Sequence, residues 1–118
     1  MKVIIAGGRD VTDYFAVKAA YIKSGFIAEE IVSGGARGVD YLGEVFAKNA
    51  GIPVKRFPAD WNKYGKRAGP LRNLEMAEYA DALIAVWDGE SKGTANMIMQ
   101  AEQHGLKVFV YLTKEKHE

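Results

Sequence analysis

The sequence predicts an α/β fold, one five-stranded parallel sheet covered by helices on both faces. Two observations predict it. Short, β-branched apolar runs alternate along the chain with stretches of helical periodicity, the pattern of strands joined by crossover helices. Glycines and capping residues punctuate nearly every junction between them. Alternation of this kind imposes right-handed crossovers and parallel pairing.

The elements follow in order. Lys2–Ala6 (KVIIA) reads as a first strand buried on both faces, stopped by Gly7 and Gly8. Thr12 and Asp13 are candidate caps for a helix to about Ser24, closed by Gly25. Glu30–Ser33 (EIVS) is a short second strand. Val39, Leu42, Gly43 and Phe46 fall at i, i+3, i+4 and i+7, one stripe of a second helix that ends at Asn49-Ala50-Gly51. Ile52–Phe57 (IPVKRF) is a third strand, with Pro53 near its start marking a sheet edge. Pro58–Gly69 (PADWNKYGKRAG) reads as a long loop. Pro70 suits the first turn of a helix running through Leu74 and Ala77 to about Tyr79. Ala82–Trp87 (ALIAVW), the most hydrophobic strand, belongs in the sheet interior. Asp88–Gly93 is a loop, Thr94–His104 a helix ended by Gly105, and Lys107–Leu112 (KVFVYL) the last strand. The tail from Thr113 to Glu118 is expected to fray. The arrangement is a Rossmann-like three-layer sandwich of strand order 3-2-1-4-5, in one domain over residues 1–118.

Composition excludes several classes of function. Lys and Arg number 16 against 15 Asp and Glu, so bulk positive charge does not hold nucleic acid. There are no cysteines, which removes disulfides, thiolate metal sites and a cysteine nucleophile. His104 and His117 stand in no ligand-like spacing, so no metal site is expected. The opening MKVIIAGG meets glycine too soon for a secretory leader, and no run reaches the roughly 18 apolar residues of a membrane span. A cytoplasmic protein with no membrane partner is expected.

Ligands of such folds bind beyond the C-terminal ends of the strands, where the strand order reverses. Here that edge carries Gly7-Gly8-Arg9-Asp10, Ser33-Gly34-Gly35-Ala36-Arg37-Gly38, Asp60-Trp61 with the basic segment after it, and Asp88-Gly89-Glu90-Ser91-Lys92-Gly93-Thr94. Glycine lets backbone N–H groups approach a ligand, and a helix N-terminus adds partial positive charge. Gly34-Gly35 and Gly93-Thr94, each ahead of a helix, are read as two anion-binding termini facing one ligand. Arg9, Arg37, Arg67, Arg72 and Lys92 can supply charge-assisted bonds. Asp40 reads as an acid that complements a helix dipole, and Trp61 and Tyr64 as either packing residues or stacking platforms. The G-x-G-x-x-G fingerprint and the Walker A loop are both absent after the first strand, where the chain reads GGRDVTD.

AGGRD, SGGARGVD, GPLRN and WDGESKGT, in that order, resemble the SLOG superfamily, and the YspA-like branch of bacteria and phages in particular. The superfamily includes the Lonely Guy phosphoribohydrolases and the Rossmann domain of DNA-processing protein A. The resemblance spans about Val3 to Tyr111. It implies a nucleotide or nucleotide-derived ligand, such as ADP-ribose, an NAD derivative or a nucleoside monophosphate, with no further cofactor. It assigns the grip to Gly7, Gly8, Arg9, Ser33, Gly34, Gly35, Ala36, Arg37, Arg72, Asn73, Asp88, Ser91, Lys92, Gly93 and Thr94. The protein would be a sensor, a sequestering protein or a processing protein. Alternatives are a nucleotide N-glycosidase and, from the basic run Lys55–Arg72 with its aromatics, a single-stranded DNA binder. The resemblance also implies a homo-oligomer, and the first helix carries apolar residues on more than one side (Tyr14, Phe15, Val17, Tyr21, Ile22).

One departure from the resembled pattern concerns chemistry. The Lonely Guy motif PGGxGTxxE places an acid shortly after Gly-Thr, whereas Gly93-Thr94 is followed by Ala95, Asn96 and Met97. Hydrolysis of an N-glycosidic bond calls on a carboxylate. Arg72, Asp88 and Glu90 are the candidate catalytic residues, and Asp40 or Asp60 could also supply the acid.

Overall fold

The computed structural model describes residues 1–113. Five parallel strands form one sheet of order β3-β2-β1-β4-β5: β1 Lys2–Gly7, β2 Glu30–Ser33, β3 Val54–Arg56, β4 Ala82–Trp87 and β5 Lys107–Leu112. The strand order is the expected one.

Side-chain alternation explains why both faces are covered. Val3 and Ile5 of β1 point with Ile31, Ala82, Ile84 and Val86 to one face, and Ile4 and Ala6 with Val32, Leu83 and Ala85 to the other. Helices α1 (Tyr14–Ser24) and α2 (Val39–Ala50) cover the first face through Val17, Ala20, Val39, Phe46 and Ala47. The chain then crosses to the second face. There α4 (Ala68–Tyr79) and α5 (Lys92–Gln103) pack Met76, Ala77, Met97 and Ala101 onto the sheet. Strands buried on both faces need the near-continuous apolar runs the sequence carries.

Local signals end most elements as expected. Asp13 caps α1, accepting from the N–H groups of Phe15 (2.9 Å) and Ala16 (3.3 Å). Ser91 caps α5 through its hydroxyl, which starts that helix at Lys92, two residues before Thr94. Strand β3 is shorter than the predicted Ile52–Phe57 because four-residue β2 is its only partner. It does lie at the sheet edge.

The expected loop Pro58–Gly69 is a correction. Asp60 caps a four-residue helix α3 (Trp61–Tyr64), accepting from the Lys63 N–H at 3.1 Å. A single 3₁₀ turn (Gly65–Arg67) then leads directly into α4. An aspartate ahead of an aromatic and two lysines is a cap signal, but so short a helix has no periodicity to betray it. Of the predicted frayed tail, residues 114–118, with His117, lie outside the described residues, while Thr113 donates its N–H to the Trp87 carbonyl at 2.8 Å.

Candidate functional site

The strand order reverses between β1 and β4, and the loops leaving these two parallel strands diverge to opposite faces. The gap between them is a cavity of about 860 Å³. Its rim comes from four segments: the β1 exit, the start of α2, the α3–α4 segment and the β4–α5 loop.

The β1 exit begins at a glycine because there is no room for a side chain at Gly7. A Cβ on Gly7 would stand 2.1 Å from the Val86 carbonyl oxygen and 2.7 Å from Cγ2 of Val39. At Gly38, φ 77°, an added Cβ would stand 2.3 Å from the Gly8 carbonyl oxygen, so the position is closed to any other residue. That carbonyl accepts from the Val39 N–H at 3.1 Å, which joins the first loop to the N-terminus of α2.

The loop after β2 turns inward on its own chain. The Ser33 hydroxyl donates to Glu44 (2.6 Å) and accepts from the Gly35 N–H (3.1 Å), and Ala36 donates its N–H to a carboxylate oxygen of Asp40 (3.2 Å). A Cβ on Gly34 would meet the Arg72 guanidinium at 2.4 Å and Asp40 at 2.7 Å. Gly34 is therefore bare to admit these two side chains. The anion lying at this loop is the protein's own Asp40, and the helix opens at Gly38, not directly after Gly34-Gly35. Two helix termini facing one ligand is thus not the arrangement found: Ser33, Gly34, Gly35 and Arg37 stand outside the cavity lining, and of this loop only Ala36 lines it. Arg37 is exposed and pairs with Asp10 at 3.3 Å.

Two neighbouring residues of α4 hold the site together. Arg72 donates from Nη1 to the Gly34 carbonyl at 2.6 Å and from Nε to Asn73 Oδ1 at 3.0 Å. The Asn73 amide donates to the Gly93 carbonyl (3.3 Å) and to Asn96 Oδ1 (3.0 Å). The exits of β2 and β4 are thereby both tied to α4. Both side chains are buried.

The β4 exit is a preformed turn. Asp88 Oδ1 accepts from the N–H groups of Glu90 and Ser91, both at 2.8 Å. Trp87 donates its indole N–H to the Ser91 carbonyl at 3.1 Å, and the hydroxyls of Ser91 and Thr94 meet at 3.1 Å. The first N–H groups of α5 belong to Lys92 and Gly93, which have no acceptor within a helix. Gly93 has no heavy atom within 4 Å of where its Cβ would be, and its φ is negative. Neither packing nor backbone strain asks for glycine here.

The sequence-predicted residues Gly7, Gly8, Arg9, Ala36, Arg72, Asn73, Asp88, Ser91, Lys92, Gly93 and Thr94 all line the cavity, as does Glu90. Asp60 and Arg67 do not. Lining residues the sequence reading did not pick out include Met76 and Met97, which form an apolar floor with Ala6, and Val11, Gly69, Pro70 and Asn96. The i, i+3 spacing of Asn73 and Met76, and the same spacing of Gly93 and Asn96, is the signal that places each pair on one helix face.

Asp40 is more than a surface helix-turn acid. It sits in the first turn of α2 as expected, yet it is buried on the cavity wall. Burial pushes its carboxyl up from 3.8 to about 6, against the opposing pull of the Ala36 N–H and of Arg72 and Arg9, while Glu44 adds to the rise. Arg72 is pulled below the ordinary guanidinium range by burial and held up by Asp40. Among the described residues no three His, Asp or Glu side chains group as metal ligands, and no helix is long and apolar enough to cross a membrane.

The parallel sheet and open cleft at its switch point define a Rossmann-like α/β protein. The chain belongs to the YspA, cpYpsA-related SLOG family, whose model matches residues 1–64. Membership implies a nucleotide-related ligand in general terms. The Gene 61 protein of Mycobacterium phage D29 is 32% identical over 116 residues, covering 91% of this chain and 93% of that protein. DNA processing protein A (DprA) from Streptococcus pneumoniae has the same fold over 92% of this chain (TM-score 0.75, 18% identity); the alignment takes in only 49% of that chain.

The raised carboxyl of Asp40 makes a signed prediction. Below about pH 4 the group is protonated folded and unfolded, and contributes nothing. As pH climbs from about 4 to 6 the unfolded state ionises first, so stability is lost, reaching about 3 kcal/mol at neutral pH. Asp40→Asn removes this slope. Urea denaturation should show the variant gaining on the wild type by up to about 3 kcal/mol between pH 4 and pH 7; a difference independent of pH contradicts the assignment.

Proposed function

We propose that the protein binds a nucleotide or nucleotide-derived small molecule in this cleft, ADP-ribose, an NAD derivative or a nucleoside monophosphate being the class, as a sensor, sequestering or processing protein. The observation that carries the reading is the N-terminus of α5. It brings N–H groups without an intrahelical acceptor, Lys92 and the bare Gly93 to the cavity wall. Glycine in a helix costs up to about 1 kcal/mol relative to alanine. A cost that neither packing nor φ explains is accounted for by a ligand that must approach the backbone. Gly8 on the other side of the cleft has only Val11 nearby, at 3.5 Å, and Arg9 adds positive charge beside it. Anion binding at such a terminus follows from its dipole and its unpaired donors.

Calorimetric titration with AMP, ADP-ribose and NAD tests this. At least one should bind and raise the melting temperature. Gly93→Val should weaken that binding at least about 10-fold, since the side chain fills the space over the donors, while leaving the fold intact because nothing lies within 4 Å of the new Cβ. Undiminished binding by the variant, or binding of none of the three by the wild type, would defeat the reading.

A second reading, N-glycoside hydrolysis, is favoured by one observation: a buried carboxyl, Asp40, on the cavity wall within the electrostatic reach of Arg72 and Arg9. Asp88 is engaged in its turn and Asp10 pairs with Arg37. In this reading water adds to the anomeric carbon, the C–N bond breaks, and the base departs with its electron pair. Asp40 takes the proton of the water, and a carboxyl raised to about 6 suits a general base near neutral pH. Chromatography of AMP incubated with the protein should show free adenine that Asp40→Asn reduces at least about 100-fold. Prolonged incubation with no adenine leaves the binding reading alone.

A further inference from the structure

We propose that the indole of Trp61 is the base-recognising wall of the cleft, so that the protein selects ligands carrying a planar aromatic base over sugar phosphates of the same charge. The inference rests on the nucleotide reading above and deepens it.

Trp61 opens α3, and its position is constrained from several sides. Asp60 caps the short helix beneath it, and the Trp61 carbonyl accepts from the Gly65 N–H. The guanidinium of Arg9, from the β1 exit, lies 5.3 Å from the indole centre. Gly69 makes room for the ring edge: a Cβ there would stand 3.3 Å from Cη2. The ring is thus held between the first loop and the start of α4, yet the residue remains 48% exposed and lines the cavity. A large, rigid, fixed aromatic left half uncovered inside a cleft is a surface awaiting a flat partner. Tyr64, on the same helix, has Lys63 over its ring and does not line the cavity.

The cleft therefore has two chemically distinct walls. Ser91–Thr94 present hydroxyls, N–H groups and a bare glycine, suited to phosphate. Trp61 with Arg9 presents an aromatic face backed by a cation, which suits a base, because every base has a π face and an arginine strengthens the stack. A molecule with an anionic end and a flat end matches both.

The test compares AMP with ribose 5-phosphate, which differ by the base, on wild type, Trp61→Ala and Trp61→Phe by calorimetry. Wild type should bind AMP at least about 10-fold more tightly than ribose 5-phosphate. Trp61→Ala should weaken AMP binding about 10- to 100-fold and change ribose 5-phosphate binding by less than about three-fold, and Trp61→Phe should retain most of the AMP affinity. AMP should also quench wild-type emission more than that of Trp61→Phe, which keeps Trp87. Equal loss for both ligands in Trp61→Ala, or unchanged AMP binding, overturns the stacking wall while the cleft stands. Should Trp61→Ala not fold, equal quenching of wild type and Trp61→Phe overturns it. Failure of the wild type to bind AMP overturns the stacking wall, and failure to bind ADP-ribose and NAD as well overturns the nucleotide reading with it.

Discussion

The site depends on one buried pair, Arg72 with Asn73. Arg72 reaches across the second layer to the Gly34 carbonyl, and Asn73 reaches the other way to Gly93 and Asn96. Strand exits are irregular backbone, with carbonyls that the sheet does not satisfy. Arg72 satisfies such a carbonyl at the β2 exit, and Asn73, one residue on, ties α4 to the first turns of α5 on the other side of the switch point. The cost is a guanidinium taken out of water, and a buried cation needs compensation. Asp40 supplies it from the opposite face of the sheet. The cavity is in this sense the space left where two layers of helices are tied together by charge.

This arrangement changes the meaning of the most conspicuous motif. SGGARGVD looks like a phosphate loop, and its N–H groups do serve an anion. The anion is Asp40, with the Ser33 hydroxyl taking a second N–H. Its glycines accommodate Arg72, Arg56 and the β1 exit, not empty space. Open backbone lies instead at Gly93 and Gly8. Glycines with identical sequence signatures divide into those that close packing requires and those that leave room beside a cavity.

Much of the fold was legible because its determinants are local. β-Branched runs marked the strands, Asp13 and Gly25 marked the ends of the first helix, and alternation of element types marked a parallel sheet covered on both faces. Trp61–Tyr64 was not legible as a helix, since a single turn shows no period. Nor was the burial of Asp40 or the partner of Gly34: the side chain that meets Gly34 lies 38 positions away in sequence, and the burial of Asp40 is set by tertiary packing that a local pattern does not carry. The cavity lining was partly legible at β1 and β4, whose exits are short and lead straight into it. It was least legible after β2, where the loop folds back on the protein.

The central claim is that the cleft between the β1 and β4 exits is where a nucleotide-type ligand sits. Backbone amide chemical-shift mapping on ¹⁵N-labelled protein titrated with ADP-ribose tests it most directly. The account predicts saturable shifts concentrated at Gly7, Gly8, Arg9, Gly93, Thr94 and Asn73, with the Trp61 indole N–H moving among them. Shifts confined to the exposed basic stretch from Lys55 to Arg67 or to the outer face of α1, with the cleft amides unmoved at saturation, would contradict it.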